Sequence, residues 1–246
     1  MQLFISDTYQ TMSAQAAEAV MQKITSQRNG LLSPASGDSP TGLYKELVNQ
    51  LNNKKIDISG WKFVGLDEWI GMNGNDEGSC RFYLNNQLFN PLPVSENNIC
   101  FFNGKADDLN NECDKVEKFI NENGGIDIAI VGLGLNGHVG MNEPGTSPSL
   151  HSHVAEIDPL TQQVGQKYFK EKTQISRGLT LGIANLMEAK NVILIVSGSK
   201  KAEIVRQVLE DEISQQLPAS YLRNHTNFSV YLDAEAASLL EKNNYE

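Results

Sequence analysis

The chain has 246 residues, 40% hydrophobic and 20% charged, with a formal net charge of −10. That length suffices for one large α/β domain or two small ones with a sizeable core. The acidic balance argues against a nucleic-acid partner, and an anionic ligand would need local cations and backbone N–H groups to work against the overall field. Cys80, Cys100 and Cys113 share no C-x-x-C spacing, so neither a disulfide framework nor a zinc knuckle is expected, and a reducing cytoplasm is the default location. No apolar run reaches the roughly 18 residues of a membrane span. The first ten residues lack the basic-then-apolar order of a signal peptide, so no membrane partner is expected.

In chain order, Met1 to Ile5 reads as a short strand, with Ser6 and Asp7 as candidate caps. From Thr11 to Gln27, Met12, Ala16, Ala19, Val20 and Ile24 recur at helical spacing and predict an amphipathic helix. Gly30 to Ser33 is a second strand, stopped by Pro34, and a small-residue loop runs from Ala35 to Thr41. Ser39 before Pro40 reads as an N-cap followed by proline at the first helical position. The helix it opens carries Leu43, Tyr44, Leu47 and Leu51. Such a loop at a helix start is either a plain connection or an anion site, because free N–H groups and the helix dipole favour a phosphate. The Gly-Lys-Ser/Thr ending of a Walker loop is missing.

Trp61 to Leu66 is a third strand, ending in Asp67-Glu68-Trp69. The acid pair is either a solvated turn or the seat of a catalytic base, since strand ends carry the chemistry in α/β sheets. Gly71 to Ser79 has the composition of a flexible loop or lid. A helix over Arg81 to Phe89, ended by Pro91 and Pro93, a strand over Ile99 to Phe102 and a helix over Asp108 to Asn121 follow, the last with a seam of Leu109, Cys113, Val116 and Ile120.

Ile126 to Val131 is apolar throughout apart from Asp127, as befits a strand buried on both faces of a parallel sheet. It empties into a loop with Gly132, Gly134, Gly137 and Gly140, and with Asn136, His138, Asn142 and Glu143 among and just beyond them. Gly132, Gly134 and Gly137 fit the dinucleotide pattern G-x-G-x-x-G, but Gly140, Pro144 and Gly145 interrupt the helix that the pattern needs. The loop either only turns the chain, with His138 a structural histidine, or holds a ligand at the end of the sheet.

Beyond it, Leu150 to Asp158 reads as polar and irregular, and His151 and His153, with no acid or cysteine cluster nearby, make a weak metal pair. Leu160 to Lys170 reads as a helix that brings Lys167. Gly178 to Gly182 leads into a short helix over Ile183 to Glu188, and Asn191 to Val196 is a second strongly apolar strand. Lys200 and Lys201 then precede a helix over Ala202 to Ile213, an unfavourable place for cations unless they face an anion. Phe228 to Leu232 is a last strand, and the tail from Asp233 reads as helical. Strands alternating with helices imply parallel pairing through right-handed crossovers. The expectation is a single α/β domain over residues 1–246: an open, mostly parallel, modified Rossmann-like central sheet with helices on both faces.

Ser36 to Thr41, Leu66-Asp67-Glu68-Trp69, Gly134 to Gly145 and Ser197 to Ala202 resemble, in that order, the motifs of the glucosamine-6-phosphate deaminase/isomerase family, including its galactosamine-6-phosphate isomerase branch. The likeness spans nearly the whole chain, and Asn142-Glu143-Pro144 belongs to the aminosugar branch rather than to the related 6-phosphogluconolactonases. The resemblance implies conversion of a hexosamine 6-phosphate and water to a ketohexose 6-phosphate and ammonia, with neither metal nor organic cofactor. The alternatives are a lactonase on the same scaffold or a non-catalytic phosphosugar-binding protein. By the same resemblance, Asp67 is the base that moves a proton between C2 and C1. His138 opens the sugar ring, oriented by Glu143, and Asn136 stands where aspartate is common. Ser36, Gly37, Asp38, Ser39 and Gly137 line the phosphate and substrate loops, with Lys167 and Lys201 as phosphate cations. Lysine at 167, where arginine is usual, supplies charge without the bidentate fork. Trp69 replaces a common tyrosine, no aminosugar activator site is implied, and monomer or homo-oligomer stays open.

Overall fold

The structure is a computed structural model and describes residues 1–241. Its elements run β1 (Gln2–Ser6), α1 (Tyr9–Ser26), β2 (Gly30–Ser33), α2 (Asp38–Lys54), β3 (Trp61–Val64), β4 (Asp67–Trp69), α3 (Cys80–Leu84), β5 (Ile99–Cys100), α4 (Leu109–Glu122) and β6 (Ile128–Val131). They continue with β7 (His153–Glu156), α5 (Pro159–Gly165), β8 (Arg177–Thr180), α6 (Ile183–Glu188), β9 (Val192–Val196), α7 (Ala202–Glu210) and β10 (Phe228–Asp233).

Seven strands form the central sheet in the order β1-β10-β9-β6-β2-β3-β5, and every neighbouring pair is parallel. The apolar runs of β6 and β9 are fully buried because the sheet is covered twice. Ala129, Val131, Leu194 and Val196 pack with α4 and α7 on one face; Ile128, Ile130, Ile193 and Ile195 pack with α1 and α2 on the other. Successive residues of a strand point to opposite faces, so a run apolar at both parities needs both layers. Each such side chain contributes about 1.5–3 kcal/mol by leaving water.

From β2 the chain runs outward through β3 to β5, then returns to β6 on the other side and runs outward through β9 and β10. The strand order therefore reverses between β2 and β6, and at such a point the connections leave in opposite directions and open a crevice beyond the strand ends. The loops after β2, β3, β6 and β9, four adjacent strands, all emerge at that end.

A second sheet, β4-β8-β7, is antiparallel and was not expected. Asp67-Glu68-Trp69 is its first strand rather than a solvated turn, and all three residues are buried. The change of sheet happens at Gly65 and Leu66: Gly65 N–H still bonds to Cys100 in the main sheet, while the Leu66 carbonyl accepts from Leu181 N–H beside β8. A side chain at Gly65 would strike the Phe101 ring at 2.7 Å. Leu150 to Asp158 contains β7, and Gly178 to Thr180 lies in β8, so both stretches are more regular than their polarity implies.

Several boundaries also move. Thr8, not Ser6 or Asp7, caps α1, with its side chain accepting from Thr11 N–H. Gly37, at φ 120°, precedes α2, so Ser39 sits inside the first turn instead of capping it. Proline at position 40 is tolerated there because the first-turn N–H groups have no helical partner. The segment at Arg81–Phe89 is α3 followed by a π-helical turn over Asn85–Phe89. The stretch to Lys170 ends its α-helix at Gly165 and adds a 3-10 turn over Gln166–Tyr168. α7 stops at Glu210. Residues 234–239 form turns, not the expected helix, and the part of that expected helix from 242 on lies outside the described residues.

Candidate active site

Asp67 opens β4 at the crevice and is only 8% exposed. Its neighbour Glu68 faces the other way and is fully buried, where its carboxylate accepts from Trp69 N, Ser79 Oγ, Cys80 N and Arg81 N at 2.7–3.1 Å. Alternation along the strand thus splits the acid pair: one carboxylate clamps the start of α3, and the other is presented to a cavity of about 550 Å³. Burial pushes the Asp67 carboxyl up to about 6, against the pull of the Cys80 thiol and the charge of His138. A base poised near neutral pH is the form a proton-transfer site needs.

His138 lines the same cavity from the loop after β6. The loop folds back tightly: Gly134 N–H donates to the His138 carbonyl at 2.9 Å, and a Cβ at Gly134 would lie 2.1 Å from the imidazole. That glycine is required by close approach rather than by a left-handed backbone. Behind the ring stand Asn136 and Glu143. Asn136 Nδ2 donates to Glu143 Oε2 at 2.7 Å, and Asn136 Oδ1 lies 2.7 Å from His138 Nδ1. A carboxylate only accepts, so it fixes the amide with its nitrogen toward Glu143 and its oxygen toward the ring. The amide oxygen in turn only accepts, so Nδ1 carries the proton and Nε2 is left for chemistry. Glu143 Oε2 is 3.5 Å from Nδ1, so its main route to the imidazole runs through Asn136. Burial raises the Glu143 pKa, but contacts with His138, Asn136 and Thr161 outweigh it and hold the group below its usual value.

The loop is tied to the second sheet by buried polar groups. Thr180 Oγ1 accepts from Met141 N–H at 3.0 Å, and Asn142 Nδ2 donates to the Val139 and Leu181 carbonyls at 2.8 and 2.9 Å. Because Thr180 also pairs with Asp67 across β4 and β8, the small sheet sets the base and the imidazole on one frame.

The anionic end is built on α2. Tyr44 and Tyr83 hydroxyls donate to the Ala35 and Gly37 carbonyls, each at 2.7 Å, and fix the loop. The first-turn amides of α2 have no helical partner and favour an anion. Ser36, Gly37, Asp38 and Ser39 all line the cavity, with Lys167, Lys201 and Ser197. Lys167 Nζ is paired with the Asp38 carboxylate, and Lys201 Nζ donates to the Leu133 carbonyl. Burial and the nearby charge of Lys167 bring the Lys201 ammonium down to about 8, with Asp38 opposing. Burial also works against the charge of Lys167, but Asp38 and Tyr168 outweigh it and keep its pKa raised.

Of the residues expected at the site, Asp67, His138, Ser36 to Ser39, Lys167 and Lys201 share the cavity, while Asn136 and Glu143 form its support. Gly137 does not belong with them: it is buried, at φ 84°, its carbonyl accepts from Ala219 N–H, and a Cβ there would meet Leu217 at 3.0 Å. It serves the turn. Thr161 and Cys80 are at the cavity and were not anticipated; neither stands in a motif, and only the fold brings them there. His151 bonds to Glu188 and His153 to the His151 carbonyl. No group of three or more His, Cys, Asp and Glu among the described residues is arranged to hold a metal ion. No helix among the described residues is long and apolar enough to cross a membrane.

The family model of glucosamine-6-phosphate isomerases/6-phosphogluconolactonase matches residues 6–231. A curated glucosamine-6-phosphate deaminase of Clostridium botulinum (strain Eklund 17B / Type B) is 35% identical over 247 residues, covering 100% of this chain and 99% of the relative. One from C. botulinum strain Hall is 35% identical over 241 residues, covering 98% and 99%. Among solved structures, a monomeric glucosamine-6-phosphate deaminase superposes with a TM-score of 0.94 at 35% identity, covering 97% of this chain and 100% of its own. The 6-phosphogluconolactonase of Trypanosoma brucei, at TM-score 0.73 and 20% identity over 98% of both chains, shares the fold.

Proposed function

The chain belongs to the family of glucosamine-6-phosphate isomerases and 6-phosphogluconolactonases, and on that premise we propose that it converts a hexosamine 6-phosphate to a ketohexose 6-phosphate and ammonia. The observation that carries the reading is the shared cavity: a buried carboxylate near neutral pKa and an oriented imidazole stand in one chamber with two lysines and a helix N-terminus.

The chemistry follows from those groups. The phosphate is held by Lys167, Lys201 and the first-turn amides of α2, and its binding energy orients the reacting carbons. His138 Nδ1–H is committed to Asn136, so Nε2 takes the proton of the C1 hydroxyl and returns it to the ring oxygen as the bond between C1 and that oxygen breaks and the C1 carbonyl forms. Asp67 then takes the C2 proton, the electron pair forms a C1–C2 double bond, and the oxygen at C1 takes a proton given up by the substrate's C2 ammonium, leaving an enolamine. Asp67 returns the proton to C1, and the nitrogen at C2 becomes an imine. Water adds at C2 and ammonia leaves. One carboxylate serves both carbons because either oxygen accepts a proton. Asn136 cannot take up a proton, so the His138 cycle runs on Nε2 alone with the Nδ1 proton fixed.

Glucosamine 6-phosphate is the first substrate to test, since the relatives 35% identical to this chain bear that name; galactosamine 6-phosphate is the second. The test is ammonia release from the two epimers side by side. Turnover of at least one, lost by roughly a thousandfold or more in Asp67→Asn, is expected for removal of an acid–base group. Flat traces with both epimers defeat the proposal.

A further inference from the structure

The wall of the cavity formed by α5 and the 3-10 turn after it touches both ends of the site. At its start, Thr161 Oγ1 lies 3.1 Å from His138 Nδ1 and 3.4 Å from Asn136 Nδ2. Six residues on, Lys167 reaches across to Asp38 at the start of α2. The wall is otherwise held by apolar packing and a few polar ties: Asp158 caps α5, Gln166 brackets Thr173 through two hydrogen bonds, and Phe169 meets the Trp69 ring edge-on at 6.5 Å. Gly165 lets it lie close, since a Cβ there would meet Ile175 at 2.8 Å.

We infer that Thr161 is a positioning residue that ties the phosphate-gripping wall to the imidazole of His138. The inference rests on the proposed reaction and deepens it. The threonine hydroxyl has one proton and two lone pairs. Its presence beside Glu143 helps hold that carboxyl below its usual value. The lone pairs then face the Asn136 amide and the Nδ1–H of His138, so the hydroxyl closes the polar cluster from the α5 side. A phosphate in the cavity competes with Asp38 for Lys167. The exchange moves the short, continuous segment that carries Thr161. Phosphate capture and the setting of the imidazole are thus linked through one wall of the cavity.

The test uses Thr161→Val, which keeps the branched shape and deletes the hydroxyl, and Thr161→Ser, which keeps the hydroxyl. Thr161 is half-buried and belongs to none of the apolar core clusters, so neither change threatens the core. In the valine variant kcat is expected to fall roughly tenfold, the worth of one hydrogen bond, with KM for the phosphosugar moving much less, and the serine variant is expected to recover kcat. A second readout needs no turnover: the imidazole ¹⁵N signals of His138 are followed while inorganic phosphate is added. They should shift in the unmodified protein and shift far less in the valine variant. Equal shifts in the two proteins, unchanged kcat in the valine variant, or equal losses in the valine and serine variants each overturn the inference. If the phosphate-linked shift depends on Thr161 but neither hexosamine phosphate releases ammonia, the proposed reaction fails and the coupling stands.

Discussion

The side-chain oxygen of Asn136 lies 2.7 Å from His138 Nδ1, and the nitrogen of the same amide donates to Glu143 at 2.7 Å. The amide is therefore a relay of orientation rather than of protons. Two measurable consequences follow. The neutral imidazole should carry its proton on Nδ1, which ¹⁵N histidine spectra report directly. Asn136→Ala should lower kcat by about a hundredfold, the scale of a mispositioned acid–base group, while KM changes little because the phosphate contacts are untouched.

Asp67 links function to stability with a definite sign. The folded protein holds the Asp67 proton up to about pH 6, whereas the unfolded chain releases it near 3.8. Between those values folding takes up a proton, so stability falls as pH rises through the window and the loss is complete above it. A gap of about two pH units corresponds to about 3 kcal/mol. Asp67→Asn should therefore be more stable than the parent above pH 6, by up to about that amount, and similar to it near pH 4. Urea unfolding at the two pH values measures it.

How much of this was legible in the sequence depends on whether a residue acts through its neighbours in the chain or across the fold. β6 and β9 announce themselves because a strand buried on both faces must be apolar at every position. The glycine loop with His138 and the Asp67-Glu68 pair were readable as strand-end chemistry. The second sheet was not, because β4, β7 and β8 have only three or four residues each, with polar side chains among them, and Asp67 finds Thr180 only through a long-range pairing. The same holds for side-chain roles. That Asn136 differs from a common aspartate is visible in the sequence; that it stands between Glu143 and His138 is a matter of where Oδ1 and Nδ2 point. Gly137 was expected at the substrate, but its positive φ and its packing on Leu217 give it to the turn.

The pH profile of kcat/KM should have two limbs on the enzyme side. The acid limb lies at about 6, where Asp67 must be ionised to act as a base. The alkaline limb lies at about 8, where Lys201 loses the charge that holds the phosphate. Lys201→Arg keeps a cation at every working pH, so the alkaline limb should move upward while the acid limb stays. An unchanged alkaline limb assigns it to another group.

Asp38 places a carboxylate among groups suited to an anion and occupies Lys167. Both partners are well exposed, so the pair is weak and screened by salt. Asp38→Asn should release Lys167 and lower KM for the phosphosugar by about two- to fivefold at low salt, with kcat unchanged and the difference fading at high salt. Initial-rate kinetics at two ionic strengths test this.

The central claim is that one carboxylate, Asp67, moves a proton between adjacent sugar carbons. Its most direct test is turnover of glucosamine 6-phosphate in D2O, with NMR reading the label at C1 of the ketose product. Deuterium should enter C1 with the parent protein, and neither label nor product should form with Asp67→Asn while phosphosugar binding persists. Label incorporation at the parental rate in Asp67→Asn would contradict the claim.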